Sequence, residues 1–171
     1  MTARAALSRL LVLPGGTLTA GPLHARCAVG RGGITSAKRE GDGATPRGRF
    51  RLLAAMYRPD RVARPVTYLP LTPIDPDAGW CDDPADRNYN RAVRLPYPAR
   101  HEQMWRKDHL YDVVIVLDYN IDPVVPGAGS AIFLHLGSPG LVPTSGCVTV
   151  SMETMLKLLP HLATTTVVDI R

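Results

Sequence analysis

The chain has 171 residues, a length that suits one folded unit whose core needs no disulfide staples. Its formal net charge of +5 favours an acidic or polymeric partner, but arginine is dispersed from Arg26 to Arg106 without a compact basic run or an interleaved aromatic array, so nucleic-acid binding is not indicated. No apolar stretch approaches the roughly 20 residues of a membrane-spanning helix, and the 45% apolar content is cut by Gly and Pro into short runs that suit strands better than a helix bundle.

In chain order, MTARAALSRLLVLP has an apolar part interrupted by Arg9 and stopped at Pro14-Gly15-Gly16, so it reads as a helix-like leader or first strand and not as a clear signal peptide. LLVLP, TLTAG and HARCAVG read as three short extended pieces, and GRFRLLAAMY as a strand with one face partly exposed. VTYLPL is a further strand whose far end is an edge or exit at Pro70. The stretch from Thr72 to Tyr89, dense in Pro, Asp and Gly, reads as a long loop of the kind that carries function. RHEQMWRKD predicts a short helix near 101–108, and Val113 to Leu117 a buried strand bounded by Asp112 and Asp118. AIFLHL is a strand ending near His135, GSPGLVPTSG turns the chain back, and Cys147 starts the next extended piece. Ser151 caps a helix near 151–159 with the apolar stripe Met152, Met155, Leu156 and Leu159, ended by Pro160, and TTTVVDI is a terminal strand. The expected architecture is mainly β, a single domain over 1–171 with its core from about residue 10.

The segment IFLHLGSPGLVPTSGCVTV carries the chemistry: His135 and Cys147 stand twelve residues apart, joined by a turn able to bring them together. An imidazole within reach of a thiol can take its proton and leave a potent nucleophile. Gly146 permits close approach, and the Gly146 and Cys147 backbone N–H groups can face a developing oxyanion. The alternative is that Cys147 is a buried structural thiol and His135 a satisfied polar residue. His135, Cys147, Asp112 and Asp118 do not form a compact metal-ligand series. Cys27 and Cys81 are either buried thiols or one disulfide. His24, His101, His109 and His161 lack the strand-end placement of His135.

The stretch from His135 to Val148, with Thr144-Ser145-Gly146-Cys147, resembles the signature of the YkuD-type L,D-transpeptidase family, in which a histidine precedes a Ser/Thr-X-Gly-Cys tetrapeptide. GATPRGRFRL, Gly43 to Leu52, is similar to that family's Thr-Pro-X-Gly-X-Phe segment, and WCDDP from Trp80, NYN from Asn88 and GSAIFLHL from Gly129 look like a bacterial branch of it. The chain departs from the more familiar motif in having Ser145 where a histidine usually stands and Thr149 in place of Arg or Asn, and its spacing from His135 is shorter than in many relatives.

The resemblance implies a YkuD-like β-sandwich and peptidoglycan acyl transfer. Cys147 would attack the meso-diaminopimelate carbonyl of a tetrapeptide stem and expel D-alanine, and His135 would serve as base and acid. The main chain of Gly146 and Cys147 would hold the oxyanion, and an acceptor amine would complete a 3→3 or 1→3 crosslink. No cofactor or metal is required. Hydrolysis by an L,D-carboxypeptidase and a non-catalytic wall-binding module are the alternatives. Substrate contacts are expected from Arg47, whose guanidinium suits a stem carboxylate, from Trp80, Tyr89 and Tyr119 as a lid, floor or pocket wall, from Asp82 toward a substrate ammonium, and from Thr144 and Ser145; the alternatives are loop solvation and local capping for Trp80, Asp82 and Tyr89 and a structural turn role for Tyr119. A monomer in the periplasm or on the outer side of the cytoplasmic membrane, open to a covalent carbapenem adduct, completes the expectation.

Overall fold

The computed structural model describes residues 6–171. The first part of the expected leader lies outside them, and Arg9–Leu13 is a strand, β1. It runs through tight turns into β2 (Thr17–Ala20) and β3 (Leu23–Ala28), each antiparallel to the one before. The first turn needs glycine: Gly16 has φ +74° and the Cys27 N–H bonds to its carbonyl, where a Cβ would stand 2.9 Å from the Cys27 oxygen.

A short parallel pair, β4 (Ile34–Thr35) and β5 (Thr45–Pro46), leads into the ten-residue β6 (Gly48–Tyr57), followed by β7 (Leu71–Pro73). Three strands then form a separate small sheet in the order β10 (His101–Gln103), β8 (Ala78–Cys81), β9 (Arg91–Arg94). The remaining strands are β11 (Val113–Leu117), β12 (Phe133–Leu136), β13 (Val148–Val150) and β14 (Val167–Ile170), with helix α1 (Met152–Leu158) between the last two.

The large sheet has the order β11-β12-β13-β3-β2-β1-β14-β6-β7, and β6 also pairs with β11. The length of β6 makes this closure possible. Its first residues pair with β14 and its last with β11, so one strand belongs to both halves and the ladder folds back into a sandwich. The main core between the halves holds Leu10, Leu18, Leu52, Ile115, Leu134, Val148 and Ile170.

β11 shows why Val113–Leu117 is continuously apolar. Val113, Ile115 and Leu117 face the main core, whereas Val114 and Val116 join a second cluster with Phe133, Trp80, Met104, Tyr111 and Cys147. This strand has apolar partners on both faces, and each fully buried side chain contributes about 1.5–3 kcal/mol. The second cluster is capped by the small sheet, where the ring of Trp80 meets Phe133 edge-on at 5.1 Å.

Four expectations need correction. Residues 101–108 are not helical: His101–Gln103 is a strand on β8, and the carbonyls of Arg106, Lys107 and Asp108 accept from the side chains of Arg58 and Arg61. The ladder to β8 takes up the backbone of His101–Gln103 that a helix would need for its own first turn. The stretch 72–89 is not one long loop, because it contains β8. VTYLPL becomes strand only from Leu71. Helix α1 is capped by Ser151, whose side chain accepts from the Thr154 N–H, but its buried stripe is Met155 and Leu158, continued by Leu159, while Leu156 is 51% exposed. Pro160 lies within the short 3-10 turn Leu159–His161.

Candidate active site

β12 and β13 are adjacent and parallel, with Leu134 opposite Val148 and His135 opposite Thr149. Side chains alternate across a sheet, so Leu134, Leu136, Val148 and Val150 fill the main core while Phe133, His135, Cys147 and Thr149 face the other way. The sheet register alone therefore puts the thiol and the imidazole on one face. Both line a cavity of about 730 Å³ beneath the small sheet, and both are buried.

The turn before Cys147 is fixed by Thr144, whose hydroxyl accepts from the Gly146 N–H at 3.1 Å and donates to the Cys147 carbonyl at 2.6 Å. Gly146 has φ +146°, and a Cβ there would stand 3.0 Å from the Ala44 carbonyl oxygen, so glycine is needed for the close approach. One expectation changes: the Gly146 N–H is held by Thr144 and does not point freely at an oxyanion. The Cys147 Sγ receives the Phe133 N–H at 3.4 Å and donates to the Ala131 carbonyl at 3.1 Å. Burial pushes its thiol up to about 12, with Glu102 adding to the rise.

The Nδ1 of His135 lies 2.9 Å from the Leu136 carbonyl and 3.1 Å from that of Leu110. Carbonyls only accept, so Nδ1 carries the proton and Nε2 keeps its lone pair as a base. The ring of Tyr111 meets the imidazole edge-on at 4.8 Å. Burial pulls His135 down to about 4. At neutral pH the pair rests as a neutral thiol and a neutral imidazole.

Of the other residues singled out in the sequence, Asp82, Thr144 and Ser145 line the cavity; Arg47, Trp80, Tyr89 and Tyr119 do not. Arg47 is exposed at the β5–β6 junction. Trp80 is packed into the second core, its Nε1–H donating to Asn90 Oδ1. The Tyr89 hydroxyl donates to Glu40, and that of Tyr119 to the Ala128 carbonyl. These aromatic residues stand behind the wall and support it. Asp82 pairs with Arg100 at 3.1 Å, and Ser145 accepts from Arg31 at 2.8 Å. Cys27, Cys81 and Cys147 are all free thiols.

Sequence reasoning missed most of the charged lining. Arg31, Lys38, Glu40, Arg100, Glu102 and Arg106 all reach the cavity. Lys38 is nearly buried, bonded to Asp42 at 2.6 Å and to the Arg39 carbonyl, which holds its loop together at the cavity wall. Glu40 accepts from Ser130 and Tyr89. Glu102 accepts from the Tyr111 hydroxyl, and burial raises its carboxyl. These residues come from distant parts of the chain, and only the WCDDP segment hinted that this region approaches the site. Among the described residues no three His, Cys, Asp or Glu side chains form a metal-ligand group, and no helix is long and apolar enough to cross a membrane.

A nucleophile, a base with a free lone pair and flanking charges of both signs are the parts of thiol acyl transfer. The model of the L,D-transpeptidase catalytic domain, YkuD, matches residues 4–170, and the chain belongs to that family of enzymes. No curated protein and no solved structure matches the chain.

Proposed function

We propose that this YkuD-family enzyme crosslinks peptidoglycan stem peptides in the periplasm or on the outer side of the cytoplasmic membrane, through a thioester on Cys147. The observation that carries this reading is the pairing of a buried thiol with an imidazole whose Nε2 is free, on one face of adjacent strands and inside a cavity lined by both charges.

In the first half-reaction Sγ attacks the meso-diaminopimelate carbonyl at the third position of a tetrapeptide stem. Nε2 of His135 takes the thiol proton as the S–C bond forms and gives it to the nitrogen of the breaking amide, so D-alanine leaves with a neutral amine and its carboxylate still ionised. The main-chain N–H of Cys147 serves the oxyanion, and preorganised donors of this type are worth about 3–4 kcal/mol each in the transition state. Arg31 supplies positive charge for the donor's carboxylates, the role the sequence had suggested for Arg47. In the second half-reaction an amine takes the acyl group, giving a 3→3 or 1→3 link; with water as acceptor the product is a tripeptide.

Incubating the purified protein with tetrapeptide muropeptides and resolving products by mass spectrometry tests the proposal. D-Alanine release, crosslinked dimers and a Cys147 adduct with a carbapenem are expected, and Cys147→Ala should abolish all three. Undiminished dimer formation by Cys147→Ala would defeat it, and tripeptide alone at high acceptor would make the enzyme a carboxypeptidase.

A further inference from the structure

Two polar groups beside His135 are left without the partners their chemistry calls for. Glu102 lines the cavity with a carboxylate held by one neutral donor, the Tyr111 hydroxyl, on Oε2. Among the described residues no cation lies within salt-bridge distance of it. The nearby Arg106 is paired with Asp108 at 2.6 Å, Arg100 with Asp82, and Lys38 with Asp42. A poorly solvated carboxylate without a counter-charge is costly unless something charged completes it. Thr149 is the second group. It is 1% exposed, lines the same cavity and stands opposite His135 in the β12–β13 register, yet its Oγ1 finds no hydrogen-bond partner among the described residues. Buried hydroxyls are nearly always paired, and an orphan in a cavity wall points to a ligand that pairs it.

Both groups flank the imidazole: Glu102 through Tyr111, whose ring lies 4.8 Å from that of His135, and Thr149 through the neighbouring strand. Of the cations that line the cavity, Arg106 lies 5.0 Å over the Tyr111 ring but is paired with Asp108, Arg31 donates to Ser145, and Lys38 is paired with Asp42. The His135 side is also where an attacking nucleophile must stand for Nε2 to take its proton.

We infer that Glu102 and Thr149 form an amine subsite that receives the acceptor as a primary ammonium ion and so favours transfer to an amine over hydrolysis. The inference rests on the acyl-transfer reading and specifies its second half. An acceptor amine is mostly protonated at neutral pH, so a carboxylate attracts it and a neutral water molecule gains nothing from the charge. The bound ammonium gives one proton to solvent, and its nitrogen attacks the thioester carbon. The new C–N bond forms as the C–S bond breaks, and His135 carries the second nitrogen proton to the departing sulfur. The products are an amide and the free Cys147 thiol.

The test is the ratio of dimer to hydrolysed tripeptide formed from the tetrapeptide donor across a range of acceptor tetrapeptide concentrations. Glu102→Gln keeps an acceptor for the Tyr111 hydroxyl and removes the charge; Glu102→Asp keeps the charge. The half-saturating acceptor concentration should rise at least tenfold in Glu102→Gln, with tripeptide becoming the main product, and Glu102→Asp should restore at least part of the wild-type ratio. Thr149→Val should shift the ratio in the same direction by about threefold. A Glu102→Gln ratio within threefold of wild type overturns the inference while leaving acyl transfer intact. Absence of D-alanine release from the wild type would sink the acyl-transfer reading itself, and the inference with it.

Discussion

The resting protonation of Cys147 and His135 sets how the thiol must answer to pH. Burial raises the thiol to about 12 and lowers the imidazole to about 4, so at pH 7 about one Cys147 in a hundred thousand is ionised and about one His135 in a thousand is protonated. A preformed thiolate–imidazolium pair is therefore negligible, and the proton must move as the substrate reacts. Iodoacetamide offers no such concerted route and reads the thiolate population directly. Its rate with Cys147 should rise about tenfold per pH unit from 7 to 10, with no shoulder near neutrality. Peptide-resolved mass spectrometry separates Cys147 from Cys81 and from Cys27, which burial raises to about 11. A rate already level by pH 7, or an ultraviolet thiolate band at neutral pH that Cys147→Ala removes, would refute the reasoning.

Three further measurements follow from the same burial and bonding. An unfolded histidine takes up its proton near pH 6.5 and His135 only near 4, so the unfolded state binds the extra proton between those values. Stability should then fall as pH drops from 6.5 to 4, by about 3 kcal/mol for this group, and urea unfolding of His135→Gln should show that much less decline; parallel declines would contradict it. Thr149→Val removes a buried hydroxyl that lacks a partner and keeps its shape, so it should raise the unfolding free energy by about 1 kcal/mol, read as a higher urea midpoint. Arg58→Met takes away the donor to the Arg106 carbonyl and the guanidinium 3.7 Å over the Trp105 ring. It should cost about 2 kcal/mol and speed hydrogen exchange in residues 104–112 ahead of the rest of the chain.

Where the controlling interactions were local, the sequence was legible. The alternation of GRFRLLAAMY, the apolar run of β11 and the cap at Ser151 each depend on neighbours in the chain, and each element formed. His135 and Cys147 were legible for the same reason, since a short connection joins two paired strands. Residues 101–108 were misread because the deciding partners, β8 and the side chains of Arg58 and Arg61, lie between 20 and 50 positions away. Trp80 and Tyr89 were placed on an open loop because the stretch is rich in Asp, Pro and Gly, a composition that does not reveal the apolar cluster waiting under β8. Glu102 and Lys38 carried no local mark at all; their place at the cavity depends on how the small sheet and the 38–42 loop fold over β12 and β13.

Holding Cys147 as a neutral thiol against the Ala131 carbonyl also governs how long the enzyme survives in use. Oxidants consume thiolates far faster than thiols, first to sulfenic acid and then to acids that do not revert. A nucleophile that ionised at rest would be spent by peroxide between turnovers. In the proposed reaction the reactive form exists only while a substrate carbonyl is in place to take up the charge, so the burial that raises the thiol would also protect its sulfur from oxidants between cycles.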